Sequence, residues 1–125
     1  MMNLNWTVLL IVAAAVVVVL MIKKSGQIPA RDALDYLKSG ALVIDVRSPG
    51  EFKSGHLARA INLPLDEIET VLPGRVPDKN QVLLLHCASG TRSGAACQKL
   101  KKMGYANAFN LGSYGRAESI LQQAN

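Results

Sequence analysis

Charged side chains are missing from the first 22 residues, although the chain contains 14 Lys and Arg and 9 Asp and Glu. Residues 6–22 form an almost unbroken apolar run, which ends at Lys23 and Lys24. At 1.5 Å per residue, a helix over this run would span about 25 Å, near the short end for a bilayer core. We therefore predict a transmembrane helix over residues 4–22, with membrane lipid as its partner.

Two features of a cleaved signal peptide are also absent from this end of the chain. No basic residue precedes Trp6, and the small residues 13–15 lie inside the apolar run rather than after it. Basic residues are enriched on the cytoplasmic side of a membrane span. Lys23 and Lys24 therefore predict a single-pass protein of a bacterial inner membrane, with the rest of the chain in the cytoplasm.

Cysteine is scarce, and the two that are present, Cys87 and Cys97, are ten residues apart. This spacing fits neither a redox pair nor a zinc site, so we expect two free thiols, no metal and no cofactor. Cys97 is expected to pack as a small apolar residue, although it could instead resolve a persulfide or disulfide at Cys87. Aromatic residues make up only 5% and the basic residues are scattered, so the net charge of +5 does not indicate nucleic-acid binding.

Apolar runs typical of strands alternate with stretches of helical periodicity after the first segment. The strand-like runs are 41–46, 60–62, 82–85 and 106–111, and the helix-like runs are 30–38, 51–54, 65–72, 93–103 and 116–123. Such alternation is typical of a parallel sheet covered by helices on both faces. We predict a short linker over residues 23–27 and a single α/β domain over residues 28–123.

The most informative stretch is residues 86–93, His-Cys-Ala-Ser-Gly-Thr-Arg-Ser. It lies between the strand-like run 82–85 and a helix-like run that starts at Ser93. A short turn between a buried strand and a helix N-terminus points backbone N–H groups at any anion in the turn. Cys87 occupies that position, and the N–H groups together with Arg92 favour its thiolate form. We predict that Cys87 is a nucleophile.

The other residues of this turn fit a site for a small anion. Arg92 carries a planar set of donors that can bind an oxyanion, and a cation at a helix N-terminus indicates a compensating anion nearby. Gly90 permits a positive φ or a close backbone approach, and Ser93 can cap the helix. Ser89 and Thr91 can donate hydroxyl groups or simply form the turn.

The order and spacing of four motifs resemble a rhodanese-type sulfurtransferase over residues 28–121. The motifs are Asp-Val-Arg-Ser-Pro-Gly-Glu-Phe at 45–52, Gly-His-Leu at 55–57, Ala-Ile-Asn-Leu-Pro at 60–64 and Cys-Ala-Ser-Gly-Thr-Arg-Ser at 87–93. Cysteine-dependent phosphatases resemble the last motif but carry one residue more than the four that separate Cys87 from Arg92. The shorter loop should close more tightly and leave room for a terminal sulfur rather than a phosphoryl group.

This resemblance implies a rhodanese-like α/β domain that transfers sulfane sulfur through a persulfide on Cys87. The donor would be thiosulfate or a persulfide, and the acceptor would be a thiol or a sulfur-accepting protein. The residues implied to bind the small anionic donor are Ala88, Ser89, Gly90, Thr91, Arg92 and Ser93. Residues implied to support the loop are Asp45, Arg47, Glu51 and His56, with Arg47 and Glu51 pairing across a turn and His56 ordering a loop.

Two departures from the family pattern lie on segments that we expect near the mouth of the site. Residues 111–115, Leu-Gly-Ser-Tyr-Gly, lack the Gly-Gly pair and the Trp that are often found in the family. Arg59 occupies a position that is often small, and an arginine there would favour anionic donors. Both departures bear on the choice of acceptor rather than on the first half-reaction.

Two other functions stay open from the sequence. A tethered, non-catalytic rhodanese module would carry sulfur or bind a membrane partner, since a fold does not by itself determine function. A phosphatase or an arsenate reductase on the same fold is disfavoured by the four-residue spacing between Cys87 and Arg92.

Overall fold

The computed structural model describes residues 5–125, apart from the side chains of residues 21–25. In chain order the elements are α1 (Trp6–Ser25), α2 (Ala30–Lys38), β1 (Leu42–Asp45), α3 (Pro49–Ser54), β2 (Ile61–Asn62), α4 (Ile68–Arg75), β3 (Leu83–His86), α5 (Thr91–Lys102), β4 (Ala108–Gly112) and α6 (Tyr114–Ala124). The four strands form one sheet in the order β2-β1-β3-β4.

All neighbouring strands of this sheet run parallel. β1 pairs with β2 through Ile44 and Ile61, and it pairs with β3 along its whole length, from Leu42 opposite Leu83 onwards. β3 also pairs with β4, with a shift of register after Leu85. The α/β architecture with a parallel sheet is therefore confirmed.

The side chains of the strands build a separate core layer on each face of the sheet. Val43 and Leu84 contact the layer that contains α2 and α6, whereas Ile44 and Leu85 contact the layer that contains α4 and α5. Successive strand residues point to opposite faces, so a continuous apolar strand fills both layers. β3 is buried along its full length, as a central strand must be.

Helix α5 begins at Thr91, two residues earlier than the sequence predicts. Gly90 is its N-cap and has a φ of 96°. This left-handed conformation turns the chain sharply enough for the helix to start at once. Ser93 therefore lies within the first turn of α5, and its predicted role as the helix cap is wrong.

Helix α1 exposes large apolar side chains from Trp6, which is 75% exposed, to Leu20, which is 55% exposed. Among the described residues, no helix combines the length and the apolar character that crossing a bilayer requires. The transmembrane helix predicted over residues 4–22 is therefore not supported, and its first residue lies outside the described range.

The segment predicted as a linker, residues 23–27, is largely structured. α1 continues to Ser25, and Gln27 forms an isolated parallel bridge with Asn110 of β4. The N–H of Ile28 donates a hydrogen bond to the carbonyl of Asn110 at 2.9 Å. Because β4 is at the edge of the sheet, its open side can accept this segment.

Candidate active site

The candidate site lies at the carboxyl end of β3, where the chain turns into α5. His86 is the last residue of β3, and Thr91 is the first residue of α5. Within the turn, Gly90 has a φ of 96°, and a Cβ added to it would lie 3.2 Å from the Cα of Gly112. Both the positive φ and this close approach require glycine at position 90.

The sulfur of Cys87 is surrounded by donors from the turn and from the start of α5. Its Sγ accepts hydrogen bonds from the N–H of Gly90 at 3.0 Å and from the N–H of Ser93 at 3.5 Å, and Oγ of Ser93 is also 3.5 Å away. Burial raises the pKa of Cys87, but hydrogen bonds from Ser93, Gly90 and Ser89 outweigh this effect and lower the pKa below its ordinary value. The turn can therefore hold a thiolate.

The second cysteine, Cys97, has a different environment. It lies on the inner face of α5 and is 6% exposed. Burial raises the pKa of Cys97 to about 12. Both thiols are free, and the surroundings favour the thiolate form of Cys87 but not that of Cys97.

Arg92 is held by a carboxylate from a distant part of the chain. Its Nη1 and Nη2 donate to Oε1 and Oε2 of Glu51 at 2.7 and 3.0 Å. Hydrogen bonds from Arg92, and then from Ser48, lower the pKa of Glu51 to about 2. Glu51 is thus the compensating anion that the position of Arg92 indicates.

The expected pairing of Arg47 with Glu51 is wrong. Arg47 instead binds Asp45, with Nη2 donating to Oδ2 at 2.8 Å and Nε lying 3.0 Å from both carboxylate oxygens. Its Nη2 also donates to the carbonyl of Gly55 at 2.7 Å, and its guanidinium lies 4.9 Å from the ring centre of Tyr114. Because Asp45 is fully buried, it needs this cation as a partner.

His86 is buried beside this ion pair. Its Nδ1 lies 3.4 Å from the carbonyl oxygen of Cys87, and its Nε2 lies 3.8 Å from Oδ2 of Asp45. Burial lowers the pKa of His86, and this effect exceeds the opposing attraction of Asp45. His86 is therefore a neutral support beneath the turn at physiological pH.

Two predicted residues lie away from the sulfur. The exposed His56 is hydrogen-bonded through Nδ1 to the carbonyl of Phe52 at 2.8 Å and stacks on the Phe52 ring, so it secures the end of α3. The expected place of Arg59 near the mouth of the site is wrong, because its Nη2 donates to the carbonyls of Leu37 and Ala41 at 2.9 and 3.3 Å. These carbonyls lie near the end of α2 and the amino end of β1, where the last carbonyls of a helix attract a cation.

Asn110 is a residue of the site that the sequence reasoning missed. It is 6% exposed, and its side chain contacts Ser93, Gly90 and Gly112 at once. The available signal was a polar residue near the end of the strand-like run 106–111, since a buried amide requires several hydrogen-bond partners.

The segment that lacks the usual glycine pair packs directly against the turn. The N–H of Cys87 donates to the carbonyl of Gly112 at 3.3 Å, and the N–H of Tyr114 donates to the carbonyl of Ala88 at 3.2 Å. Ser89 and Ser113 form an antiparallel bridge. Residues 112–114 therefore form one wall of the turn.

The described residues around the sulfur form a site for anion chemistry. Ala88, Ser89 and Thr91 are exposed around the buried sulfur of Cys87. In the described part of the chain, no three His, Cys, Asp or Glu side chains come together as metal ligands. The positive potential at the sulfur comes chiefly from backbone N–H groups and the N-terminus of α5.

Comparisons with known proteins agree with this geometry. A family model described as a rhodanese-like domain matches residues 29–115. The chain is 41% identical over 69 residues to the thiosulfate sulfurtransferase PspE of Escherichia coli (strain K12), covering 55% of this chain and 66% of that protein. It is 34% identical over 70 residues to a sulfurtransferase of Allochromatium vinosum, covering 56% of this chain and 64% of that protein. The chain thus spans slightly less than two thirds of these relatives.

Solved structures show the same likeness. A structure described as a rhodanese with anions from E. coli superposes with a TM-score of 0.59 at 36% identity, over 62% of this chain and 91% of that one. The human single-domain sulfurtransferase TSTD1 gives a TM-score of 0.65 at 28% identity, over 75% of this chain and 96% of that one. Both comparisons support a sulfurtransferase.

Proposed function

Because the chain belongs to the rhodanese-like domain family, we propose that it moves sulfane sulfur through a persulfide on Cys87. The donor is thiosulfate or a persulfide, and the acceptor is a thiol or another thiophilic molecule. The observation that carries this proposal is the environment of Cys87, whose buried Sγ accepts hydrogen bonds from Gly90 and Ser93 at the start of α5.

The proposed reaction has two steps. In each step an anionic sulfur nucleophile is consumed and an anionic leaving group is released, so the charge balances. In the first, the Cys87 thiolate attacks the outer sulfur of thiosulfate. The S–S bond of the donor breaks, and its electron pair leaves with sulfite. In the second, an acceptor thiolate attacks the terminal sulfur of the Cys87 persulfide, becomes a persulfide itself and releases the Cys87 thiolate. Neither step requires a general base, and ping-pong kinetics should follow.

Backbone dipoles supply most of the stabilisation in this proposal. Negative charge passes along the S–S bond between Cys87 and the added sulfur, and donors fixed in advance need no reorganisation as the charge moves. The exposed residues Ala88, Ser89 and Thr91 face the donor at the rim of the turn. The four residues between Cys87 and Arg92 favour a site for one added sulfur over a site for a phosphoryl group.

Arg92 has a supporting role in this reaction. Its guanidinium already uses Nη1 and Nη2 to bind Glu51, so the donor meets an ion pair at the rim rather than a free cation. The pair fixes the first turn of α5, and Ser93 of that turn donates to the sulfur. We assign Arg92 to the orientation of the loop.

The test is to detect the persulfide by mass. The full-length chain in detergent is incubated with thiosulfate, freed of excess donor and measured as the intact protein. We expect the mass of one sulfur atom to be added, and cyanide should remove it as thiocyanate. C87S should gain nothing, whereas the matched variant C97A should load as the wild type does.

Two outcomes would contradict the proposal. Loading of C87S to the wild-type level would place the sulfur elsewhere, and failure of the wild type to load from either thiosulfate or a small persulfide would leave only a non-catalytic module. Faster turnover of a phosphomonoester than of thiosulfate would instead favour a phosphatase on the same fold.

We also propose that residues 4–22 attach the chain to a membrane, with the domain on the cytoplasmic side. The support is the exposed apolar surface of α1 from Trp6 to Leu20, together with the lysines that follow it at 23 and 24. An apolar surface of this size calls for a lipid or protein partner. Attachment would restrict the acceptor to molecules that reach the membrane surface.

Fractionation of cells that express the full chain tests this attachment. We expect the wild-type chain to stay with membranes after alkaline carbonate washing, and the double variant V12K/V17K to be released. A Gln123→Cys label site should react with a membrane-impermeant thiol reagent only after lysis. Release of the wild type by carbonate would contradict attachment, and labelling before lysis would contradict the orientation.

A further inference from the structure

The hydroxyl group of Ser93 has one proton and three possible acceptors. Its Oγ lies 2.7 Å from Oδ1 of Asn110, 3.2 Å from the carbonyl oxygen of Gly90 and 3.5 Å from Sγ of Cys87. A hydroxyl donates only one hydrogen bond of good geometry at a time. The sulfur is the most distant of the three acceptors, so it competes for this proton from the weakest position.

The orientation of the Asn110 amide is fixed by its backbone neighbours. The N–H of Gly112 donates to one end of the amide at 2.8 Å, so that end must be the oxygen. The other end donates to the carbonyl of Gly90 at 3.0 Å and must be the NH₂ group. The atom that faces Ser93 is therefore Oδ1, which can only accept, and Ser93 must be the donor in their 2.7 Å contact.

From this geometry we propose that Asn110 is a positioning residue that competes with Cys87 for the hydroxyl proton of Ser93. While Asn110 holds that proton, the hydroxyl offers the sulfur only its lone pairs, which favour the thiol form. When Cys87 loses its proton to water, the Ser93 hydroxyl can rotate towards the thiolate without breaking its O–H bond. Asn110 therefore sets how much the Ser93 hydroxyl stabilises the negative sulfur.

This competition has a consequence for sulfur transfer, and that consequence rests on the proposed function. The second step releases Cys87 as a thiolate leaving group. A hydroxyl proton available to Sγ makes this leaving group more stable, whereas a proton kept by Asn110 makes it less stable. Asn110 thereby tunes how readily the bound sulfur passes to the acceptor.

The charged and titratable groups around the sulfur are distinct from this pair. His86 from β3 contacts the carbonyl of Cys87, and Asp45 of β1 lies behind His86. From α5 and α3 come Arg92 and Glu51, which bind each other. Ser93 and Asn110 are uncharged, so uncharged substitutions at these two positions leave all four of those groups in place.

The test is a double-mutant cycle read by the titration of the Cys87 thiolate from its ultraviolet absorbance, with C97A as the parent. N110L removes the competing acceptor, and we expect it to lower the pKa of Cys87 by about half to one unit, the size of one hydrogen bond. In an S93A background, the same substitution should not produce this decrease in the pKa of Cys87, because the Ser93 hydroxyl is absent. N110D, a stronger acceptor, should raise the pKa more in the parent, which keeps the Ser93 hydroxyl, than in the S93A background.

Asn62 provides the matched control, because its amide also holds two backbone groups in place, in this case the carbonyls of Asp45 and Arg47. N62L should shift the thiolate titration equally with and without the Ser93 hydroxyl. Equal shifts for both Asn110 variants in the two backgrounds would overturn the proposal. If N110L does not fold, the difference between the pKa shifts that N110D causes in the parent and in the S93A background decides alone. The titration uses neither donor nor acceptor, so it stays informative even where sulfur transfer fails.

Discussion

Replacing Gly90 with alanine tests the link between the shape of the turn and the chemistry of the sulfur. Gly90 has a φ of 96°, and the new Cβ would lie 3.2 Å from Cα and 3.3 Å from the carbonyl carbon of Gly112. Gly40 has the same φ of 96° but has no atom within 4 Å of the position of such a Cβ. G40A therefore measures the backbone strain alone, and G90A adds the crowding at the site.

The expected losses of stability follow from these contacts. An alanine in the left-handed region costs about 1–2 kcal/mol, and the restriction of the unfolded chain returns about 0.4–1 kcal/mol. We expect G40A to lower the free energy of unfolding by about 1 kcal/mol. G90A should lower it by about 2–3 kcal/mol, since the backbone of Gly112 cannot move aside as a flexible side chain would. Urea denaturation of both variants measures the difference.

The same displacement should affect Cys87. The N–H of Gly90 donates to Sγ at 3.0 Å, and a hydrogen bond to a charged acceptor contributes about 1.5–3 kcal/mol. Loss of this bond should raise the pKa of Cys87 by about one to two units. Sulfur loading by G90A should then be slow at pH 6 and recover towards pH 9, while G40A should load like the wild type. An unchanged thiolate titration in a folded G90A chain would refute this account of the turn.

Three further substitutions address the charged groups around the turn. E51Q removes one of the two oxygens that hold Arg92, and sulfur loading should slow roughly tenfold because the start of α5 loses its orientation. Because hydrogen bonds from Arg92 and then Ser48 lower the pKa of Glu51 from 4.5 to about 2, the stability that these contacts contribute is complete above pH 4.5 and is lost as the pH falls towards 2. D45N leaves the buried guanidinium of Arg47 without a charged partner and should lower the free energy of unfolding by about 2–4 kcal/mol in urea. Burial lowers the pKa of His86 below 6.5, so the unfolded chain binds a proton at a pH where the folded chain does not. The free energy of unfolding should therefore fall as the pH drops below 6.5. H86Q should lose this part of the pH dependence.

Each of these variants has a partner variant that serves as its control and carries the same chemical change elsewhere in the chain. E69Q disturbs the exposed pair of Glu69 with Lys99 and should not slow loading. D78N alters an exposed loop carboxylate and should change stability by less than about 1 kcal/mol. H56Q makes the same change at the exposed histidine. Equal effects in a variant and its partner would contradict the assigned role.

The sequence was sufficient to predict the sheet and the position of Cys87 after a buried strand, since both follow from local patterns. An apolar run such as 82–85 is too short for a typical helix, and a glycine-containing turn follows it within a few residues, so it favours a buried strand. The parallel arrangement then brings the carboxyl ends of β1 and β3 to one edge, where Asp45 and Cys87 lie. These conclusions needed no knowledge of contacts between distant side chains.

The pairing of charges could not be predicted in the same way. Arg47 and Glu51 are close in sequence, but the strand end of β1 directs Arg47 inward to Asp45, whereas the first turn of α3 presents Glu51 to Arg92, 41 residues away. Arg59 likewise binds carbonyls 18 and 22 residues away. Which cation reaches which anion depends on tertiary distances of a few ångströms, and residue spacing does not contain them.

The ion pair between Arg92 and Glu51 changes how the site must attract its substrate. A free arginine at the rim would draw anions by its net charge, but here the guanidinium and the carboxylate largely cancel at a distance. What remains at the sulfur are the N–H groups of Gly90 and Ser93, whose field is strong only within about one hydrogen-bond length. Such a site selects for charge that develops on the sulfur itself rather than for the total charge of the donor. Small neutral persulfides should therefore load Cys87 nearly as well as the thiosulfate dianion, and loading should depend only weakly on ionic strength. A steep loss of loading with added salt would show that Arg92 leaves Glu51 to bind the donor.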